Sequence, residues 1–284
     1  MIGEIDPGSR QMFLANVMVY VDPGQQDEGQ IRVAAGIAET FHASIIGVCA
    51  SPIDPPLVVD GVVIEQTTEE ELKRKQADLA AKAEWFSKIA RGGRHEVQWR
   101  SALESPTTFL AEQARAADLV VFRRRKIESD RFHYLDSAEA VVRMGRPTLS
   151  VPEGVTKLSG DRIVVGWKDT REARLAIRDA LPFLTRASKV TVAEICTSDE
   201  QDVAARRLRD VAGYLERHGV NCQFEVRVHA AEPDGDYLIR LAEREGADLI
   251  VTGGYGHSRL GEWIFGGMTR SLLQQAPICL MMSH

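Results

Sequence analysis

The chain has 284 residues, of which 44% are hydrophobic and 27% are charged, and its formal net charge is -6. This length suits two domains of average size, and the composition is typical of a soluble globular protein. The acidic balance argues against a nucleic-acid partner. No apolar run approaches the roughly 18 residues that span a bilayer, so we predict no membrane partner.

In chain order, the first half alternates short apolar runs with stretches of helical periodicity. The runs at 16–22 and 44–49 are predicted strands, and a helix with a solvated, salt-bridged face is predicted over 65–91. Ser105-Pro106 opens another helix, because a proline in the first turn has no backbone hydrogen bond to lose. The stretch Ala117-Asp118-Leu119-Val120-Val121 begins the strand that follows it.

The second half shows the same alternation of strands and helices. Its short apolar runs are typical of buried parallel strands, and the helix at 171–185 carries its apolar residues on one side. The predicted strands lie at about 162–168, 189–196, 222–229, 247–252 and 277–282, and the predicted helices at about 171–185, 200–218, 234–245 and 266–275.

An internal repeat relates the two halves. Ala117-Asp118-Leu119-Val120-Val121 recurs 130 residues later as Ala247-Asp248-Leu249-Ile250-Val251, and Arg146-Pro147 recurs at the same spacing as Ala276-Pro277. We therefore predict an α/β fold of two tandem doubly wound domains, each a five-stranded parallel sheet with helices on both faces. The predicted domains are 1–153 and 161–284, and a polar linker at 153–160 joins them.

The first twelve residues and the cysteines bear on cellular location and metals. The segment MIGEIDPGSRQM contains acids, Pro and Gly and no apolar core, which predicts a cytoplasmic protein without a secretory signal.

The four cysteines are widely spaced, without a CxxC pair or a Cys/His cluster. We therefore predict buried structural thiols and no metal site.

A glycine-rich stretch, GGYGHSRLGEWIFGG at 253–267, follows the fourth predicted strand of the second half. Ligands of open parallel sheets bind beyond the carboxyl ends of the strands, and glycines let a ligand approach the backbone closely. Gly266-Gly267 stands at a predicted helix start, where free N–H groups attract anions without the lysine of a P-loop. The local pattern fits equally a phosphate-binding loop or a closely packed turn without a ligand.

The spacing Gly253-x2-Gly256-x9-Gly266 resembles the G-x2-G-x9-G-[S/T] pattern of the ATP-binding universal stress proteins. The preceding Ala-Asp-Leu-Ile-Val, the closing Ala-Pro-Ile-Cys-Leu-Met and the five-strand layout of each half fit the same family. The resemblance covers about 14–153 and 161–284, so the chain looks like a tandem universal stress protein. It implies a role in stress response or regulation and a site for ATP or another adenine nucleotide, with or without Mg²⁺.

The resemblance also implies which residues form the nucleotide site. The glycine-loop amides would hold ribose and phosphates, His257 would face phosphate or ribose, and Val228 on the third strand would line the base. The loop residues that carry over are Gly253, Gly256, Gly266 and Gly267.

Two positions of the second half depart from the family pattern. Gly267 stands where the family has Ser or Thr, so a hydroxyl is lost there, and Thr269 is a candidate substitute. Lys168 stands at the end of the first strand where the family has Asp or Asn. A lysine has no acceptor for the adenine amino group. Asp169, one residue later, is therefore the candidate acceptor, whereas Lys168 could reach a phosphate, pair with an acid or be a structural cation.

The first half departs in the opposite way. It keeps an acid, Asp22, at the end of its first strand, but the loop glycines are replaced by Arg123, Lys126, Asp136 and Ser137. A carboxylate at 136 would repel a phosphate, and the basic run 123–126 could attract anions or pair with acids across an interface. We predict that the first half is a copy that does not bind nucleotide.

No catalytic residues are predicted. Gly256-His257-Ser258-Arg259-Leu260 lacks the last glycine of a G-x-S-x-G nucleophile elbow, and the chain has no Walker A motif. Three hypotheses remain: a nucleotide-binding regulatory protein, a dimerisation module without nucleotide, or a weak nucleotide hydrolase.

Pairing of the last strands of the two halves, at about 147–151 and 277–282, would cover both of these edges inside one chain. A homodimer of two chains is also considered.

Overall fold

The fold is known from a computed structural model that describes residues 14–60, 62–64, 67–93, 95–125, 130, 132–229, 233–254 and 267–284. In the first half the elements are β1 (Asn16–Tyr20), α1 (Gly29–Phe41), β2 (Ser44–Ala50), β3 (Leu57–Val59), β4 (Val62–Ile64), α2 (Glu69–Ala90), β5 (Val97–Ala102), α3 (Pro106–Gln113), β6 (Leu119–Arg123), α4 (Ser137–Arg143) and β7 (Thr148–Val151). In the second half they are β8 (Arg162–Trp167), α5 (Arg171–Leu184), β9 (Lys189–Cys196), α6 (Gln201–Arg217), β10 (Cys222–Val228), α7 (Asp234–Glu245), β11 (Leu249–Gly253), α8 (Gly267–Gln275) and β12 (Cys279–Ser283).

Every predicted element of the second half is confirmed to within two residues at each end. Across the part of the chain that the structure describes, no helix combines the length and the hydropathy needed to cross a membrane.

Ten strands form one continuous sheet in the order β10-β9-β8-β11-β12-β7-β6-β1-β2-β5. All neighbours within each half are parallel, which confirms the predicted α/β class. The halves join where β7 pairs antiparallel with β12, with Leu149 opposite Met281. The predicted pairing of the last strands is therefore confirmed, and it merges the two five-stranded sheets into one.

Helices cover both faces of the sheet. Helices α1, α2, α5 and α6 contribute to the core of one face, while α3, α4, α7 and α8 cover the other. Helix α5 illustrates why a helix packs on the sheet with one side. Its apolar residues recur at 3.6-residue spacing and form one buried stripe. The members of this stripe are Ala173, Ala176, Ile177, Ala180, Leu181 and Leu184.

The thiols are free, and three of the four are buried. Cys49, Cys196 and Cys279 lie inside the fold, whereas Cys222 on the edge strand β10 is half-buried. Burial raises the pKa of Cys49 and of Cys279 to about 12. The predicted buried thiols are therefore confirmed at three positions.

Two features of the segment between β2 and β5 differ from the prediction. Strands β3 and β4 form a separate two-stranded hairpin that the sequence analysis did not predict. Helix α2 begins at Glu69 rather than at 65, because Thr68 forms a capping box with Glu71. The Thr68 hydroxyl accepts from the Glu71 N–H at 3.2 Å, and the Glu71 carboxylate accepts from the Thr68 N–H at 2.9 Å.

The repeated Ala-Asp pair has a structural role that is the same in both halves. The Asp118 carboxylate accepts hydrogen bonds from the N–H groups of Ala15 and Asn16, at 2.8 and 3.0 Å. The Asp248 carboxylate accepts from Ser159 and Gly160, at 2.6 and 3.1 Å. Each aspartate thus anchors the chain as it enters the first strand of its half.

We expect Asp248→Ala to lower the free energy of unfolding by about 1–2 kcal/mol, because two charge-assisted hydrogen bonds to the linker are lost. Denaturant unfolding followed by circular dichroism measures this change. Asp210→Ala is the matched control, since Asp210 lies on the exposed side of α6. Equal stability of the two variants would contradict an anchoring role for Asp248.

Candidate functional site

A cleft opens at the carboxyl edge of the second half, between the ends of β8 and β11. Strand order reverses at this pair, because β9 and β10 lie on one side of it and β12 on the other. The helices that follow β8 and β11 therefore leave in different directions, which is the usual position of a ligand site in an open α/β sheet. The cleft encloses about 260 Å³, close to the lower end of typical ligand pockets.

The floor of the cleft is formed by strand ends. Gly166, Trp167 and Lys168 come from the end of β8, and Thr252 and Gly253 from the end of β11. Gly166 is closely packed against α7, since a Cβ there would lie 2.8 Å from Leu238 Cδ1.

Gly253 lies directly against the beginning of α5. A Cβ on this residue would lie 2.6 Å from the Ala173 nitrogen and 2.7 Å from the Glu172 carbonyl carbon. Both are backbone atoms of a helix and cannot move aside as a flexible side chain can. Close packing therefore requires glycine at this position, and the same residue also lines the cleft.

The first turn of α8 forms another wall, through Gly267, Met268 and Thr269. The N–H groups of a first helical turn have no partner within the helix and carry partial positive charge. A Cβ at Gly267 would meet no atom of the described residues within 4 Å, so this part of the structure has space for a side chain there. Thr269 is buried in this wall.

Charged groups of both signs surround the opening. Lys168 supplies ammonium donors, while Glu172 on α5 and Asp234 in the first turn of α7 supply carboxylates. Asp234 also pairs with His229, whose Nδ1 lies 2.9 Å from the Asp234 carboxylate. The apolar part of the wall includes Ala193 and Ile195 of β9. The cleft thus combines an anion-attracting helix terminus with acceptors and an apolar surface.

Three of the predicted site residues, Lys168, Gly253 and Gly267, are brought together in this cleft. Asp169 instead forms an ion pair with Arg174. Val228 is half-buried on β10 and is not among the described lining residues, although His229 beside it is. The remaining three, Gly256, His257 and Gly266, lie outside the described residues. A ligand role for any of these positions stays a prediction.

The sequence analysis did not identify Glu172, His229 and Asp234 as lining residues. A signal was present, since His229 is the last residue of a predicted strand and the other two stand at predicted helix starts. Such positions converge at the carboxyl edge of a parallel sheet.

In the first half, an arginine takes the place of the packing glycine. Arg123 donates to the Gln25 side chain at 2.9 Å and forms ion pairs with Asp27 and Glu153, at 3.1 and 3.0 Å. The connection from β1 to α1, at 21–28, is longer than the connection from β8 to α5, at 168–170. The longer connection leaves room for the arginine and carries two of its partners.

Asp22, the acid at the end of the first strand of the first half, has hydrogen-bond and ion-pair partners within the protein. Asp22 is buried, accepts from the Gly24 N–H at 2.9 Å and forms an ion pair with Arg125. The guanidinium of Arg125 lies 4.3 Å from the ring centroid of Tyr134. Burial, together with the nearby charge of Asp22, raises the pKa of Tyr20 well above its usual value.

The N-terminus of α4, the first-half counterpart of α8, is capped by a carboxylate of the protein itself. Asp136 is the N-cap of α4, and its side chain accepts from the N–H groups of Ala138 and Glu139, at 2.9 and 3.1 Å. Its counterpart Gly266 has no side chain that could act in this way. Of the basic run, Arg123 and Arg125 pair with acids, Arg124 reaches the second half, and Lys126 lies outside the described residues.

Comparisons with known proteins agree with this architecture. Residues 160–284 match the model of the universal stress protein family. The whole chain is similar in fold to a universal stress protein from Archaeoglobus fulgidus DSM 4304, with 12% identity, a TM-score of 0.68 and 94% of each chain covered. It is also similar to a functionally unknown protein from Pseudomonas aeruginosa PAO1, with 14% identity, a TM-score of 0.61, and 94% of this chain and 92% of that chain covered. At these identities the likeness shows the fold alone, and a comparison with curated proteins finds no match.

Proposed function

We propose that the chain is a tandem universal stress protein, with domains at 1–153 and 161–284, that binds an adenine nucleotide in its C-terminal cleft. Its biological role would be regulatory, in a stress response in the cytoplasm. The observation that carries the proposal is the cleft between β8 and β11, with the first turn of α8 in its wall. ATP is the first ligand to test, because the glycine spacing in 253–267 resembles that of ATP-binding members of the family.

The chemistry of the cleft supports a nucleotide with phosphates. The first turn of α8 offers backbone donors to an anion, and the Thr269 hydroxyl lies two residues further along the same wall. Lys168 at the end of β8 adds a cation that could neutralise phosphate charge. Ala193 and Ile195 offer an apolar surface on which a base or ribose could rest.

The contrast between the halves supports a single site per chain. In the first half, the position of Gly253 holds an arginine paired with two acids, and Asp136 caps the equivalent helix. Side chains of the protein therefore occupy positions that a phosphate would need there. We propose that the first half contributes to assembly and stability rather than to nucleotide binding.

Gly267 provides a matched pair of variants that test the phosphate position. We expect Gly267→Asp to raise the Kd for ATP at least tenfold, by placing a carboxylate near the phosphates. Gly267→Ser should retain affinity or lower the Kd by up to about tenfold, because it restores a hydroxyl donor. Either side chain should fit, as a Cβ there meets no atom within 4 Å among the residues that the structure describes. Isothermal titration calorimetry with ATP, with and without Mg²⁺, measures both.

Gly267→Ser and Gly267→Asp, together with the wild-type protein, also distinguish the ways in which the proposal could fail. If Gly267→Asp binds ATP with unchanged affinity, the phosphates do not bind at the first turn of α8. If the wild-type protein gives no heat with ATP and releases no adenine nucleotide on denaturation, nucleotide binding itself is wrong. Phosphate release measured on the same samples separates binding from slow hydrolysis.

A further inference from the structure

Helix α4 belongs to the first half but has buried residues in the cores of both halves. Ala140 lies in an apolar cluster of the first half. Ala138 and Val141 pack instead among residues of the second half, which include Leu272 of α8 and Met282 of β12. Helix α4 therefore forms part of the core on which α8 rests.

Val141 lies directly against the backbone of Gly254, the residue that follows β11. A Cβ on Gly254 would lie 2.5 Å from Val141 Cγ1. The next described atoms, the Ser283 carbonyl oxygen and Met282 Cβ, would lie at 3.6 and 3.8 Å, which is ordinary van der Waals contact. A valine in a helix has a restricted χ1 angle, so its methyl group cannot turn aside freely. Within the described part of the chain, Val141 thus excludes a side chain at position 254.

Hydrogen bonds to the end of β12 also hold Gly254. Its N–H donates to the carbonyl of Ser283 at 2.8 Å, and its carbonyl oxygen lies 3.0 Å from the Nδ1 of His284. The residue is buried. Its position is therefore fixed by polar groups of the second half and by an apolar side chain of the first.

The contacts of Val141 reach the cleft through two of its walls. Gly253, which directly precedes Gly254, lines the cleft at the end of β11. Met268, in the first turn of α8, lines it as well and packs against the apolar cluster that contains Val141. Protein interiors are close-packed, so a change of volume at one side chain displaces its neighbours. Loss of the Val141 side chain should therefore change the shape of the cleft.

The first-half counterpart of Gly254 makes a contact in the opposite direction. This residue, 130 positions earlier, is Arg124, and it donates to the carbonyl of Ile278 in the second half at 3.0 Å. At Gly254 the second half instead receives a side chain from the first, because the absence of a Cβ leaves space for Val141. The half that carries the cleft thus depends on the other half at a position next to a cleft wall.

We propose that Val141 is a positioning residue for the nucleotide cleft, so that a side chain of the first half sets the geometry in which the second half binds its ligand. This inference rests on the proposed function and adds that the single site needs both halves. Val141 does not touch the nucleotide, because it acts through Gly254 and α8.

Val141→Ala tests this dependence. We expect it to raise the Kd for ATP by roughly five- to tenfold, because the backbone of Gly254 and the first turn of α8 lose their support. Val33→Ala is the matched control, since Val33 is also 2% exposed but lies in α1, in the core of the other face of the sheet. Both substitutions should lower the midpoint of urea unfolding, whereas only Val141→Ala should weaken binding. Isothermal titration calorimetry at a temperature where both variants are folded measures the Kd.

A size exchange between the two residues gives a readout that a general loss of stability would not give. Gly254→Ala places a methyl group against Val141 and should raise the Kd for ATP at least tenfold. In Gly254→Ala/Val141→Ala the added methyl group has space, so the Kd should return to within about threefold of that of Val141→Ala. Val33→Ala should not rescue Gly254→Ala, because the clash with Val141 remains. If Gly254→Ala alone does not fold, recovery of a folded, ATP-binding protein by Val141→Ala is the same result.

The wild-type titration separates failure of this inference from failure of the proposed function. If the wild type binds ATP and Val141→Ala binds it equally well, or no more weakly than Val33→Ala does, this inference alone is overturned. It is also overturned if Val141→Ala does not recover binding in Gly254→Ala. A wild-type protein that gives no heat with ATP contradicts the proposed function, and this inference with it.

Discussion

Replacing Arg124 with methionine is expected to lower the free energy of unfolding by about 3 kcal/mol. Arg124 is 9% exposed and lies at the junction of the two halves. Its guanidinium donates to the carbonyls of Ala276 and Ile278 in the second half, the latter at 3.0 Å, and to the Ser150 hydroxyl at 3.1 Å. One buried side chain thus connects the end of β6 to the segment before β12.

The carbonyl of Ile278 depends on this arginine for a geometric reason. Leu280 pairs with Ser150 in the antiparallel register, so Ile278 comes opposite Pro152 two residues further along. A proline has no N–H group to donate, and the arginine supplies the missing hydrogen bond. Burial removes the guanidinium of Arg124 from water and lowers its pKa to about 10. Methionine keeps the volume but leaves the buried carbonyls without a donor.

Urea unfolding of the full chain measures the effect of Arg124→Met. Arg143→Met is the control, because Arg143 lies on the exposed side of α4 and pairs only with Glu139 among the described residues. Exposed i,i+4 pairs contribute about 0.3–0.5 kcal/mol, so this control should stay close to the wild type. A midpoint for Arg124→Met that matches the control would show that the junction does not need the arginine.

Gly253→Ala is expected to lower the free energy of unfolding by about 2–3 kcal/mol and to weaken nucleotide binding as well. The added methyl group would lie 2.6 Å from the Ala173 nitrogen. Relief of this clash requires the end of β11 and the beginning of α5 to separate. Residues from both elements line the cleft, so the same movement changes its shape.

Gly36→Ala is a glycine-to-alanine substitution in the same protein for which we expect an increase in stability. Gly36 lies inside helix α1, and a Cβ there would meet no described atom within 4 Å outside the helix's own backbone. Alanine should therefore stabilise the protein by about 0.5–1 kcal/mol through its higher helix propensity. Thermal unfolding and ATP calorimetry on both variants test the comparison. If Gly253→Ala is as stable as the wild type, the close approach of β11 to α5 is not required by the fold.

Much of the architecture could be predicted from local patterns. Strand and helix bounds in the second half follow from the periodicity of apolar residues, and the repeat of Ala117-Asp118 at Ala247-Asp248 indicated two similar halves. The pairing of β7 with β12 was also predicted, because the last strand of each half would otherwise be an open edge. These features depend on short segments whose backbone preferences agree with the final fold.

The hairpin of β3 and β4 has a local signal in the sequence, although the sequence analysis did not predict it. Val58-Val59-Asp60-Gly61-Val62-Val63 is a two-residue Asp-Gly turn between β-branched pairs, which is a strong hairpin signal. Asp60 has a positive φ of 51°, as such a turn requires at its first central residue. The start of α2 was likewise readable from Thr68 and Glu71, which have capping-box spacing.

The sequence by itself determined the types of element, their order and the twofold repeat, because periodicity and turn chemistry act between residues close in the chain. Only the tertiary structure decided the partners of individual side chains. Arg124 meets Ile278 from 154 residues away, and Gly253 meets the backbone of Ala173 in the helix that follows the neighbouring strand. Such contacts depend on how strands and helices assemble in three dimensions. For the same reason, the glycine that indicated a ligand loop is also one that close packing requires.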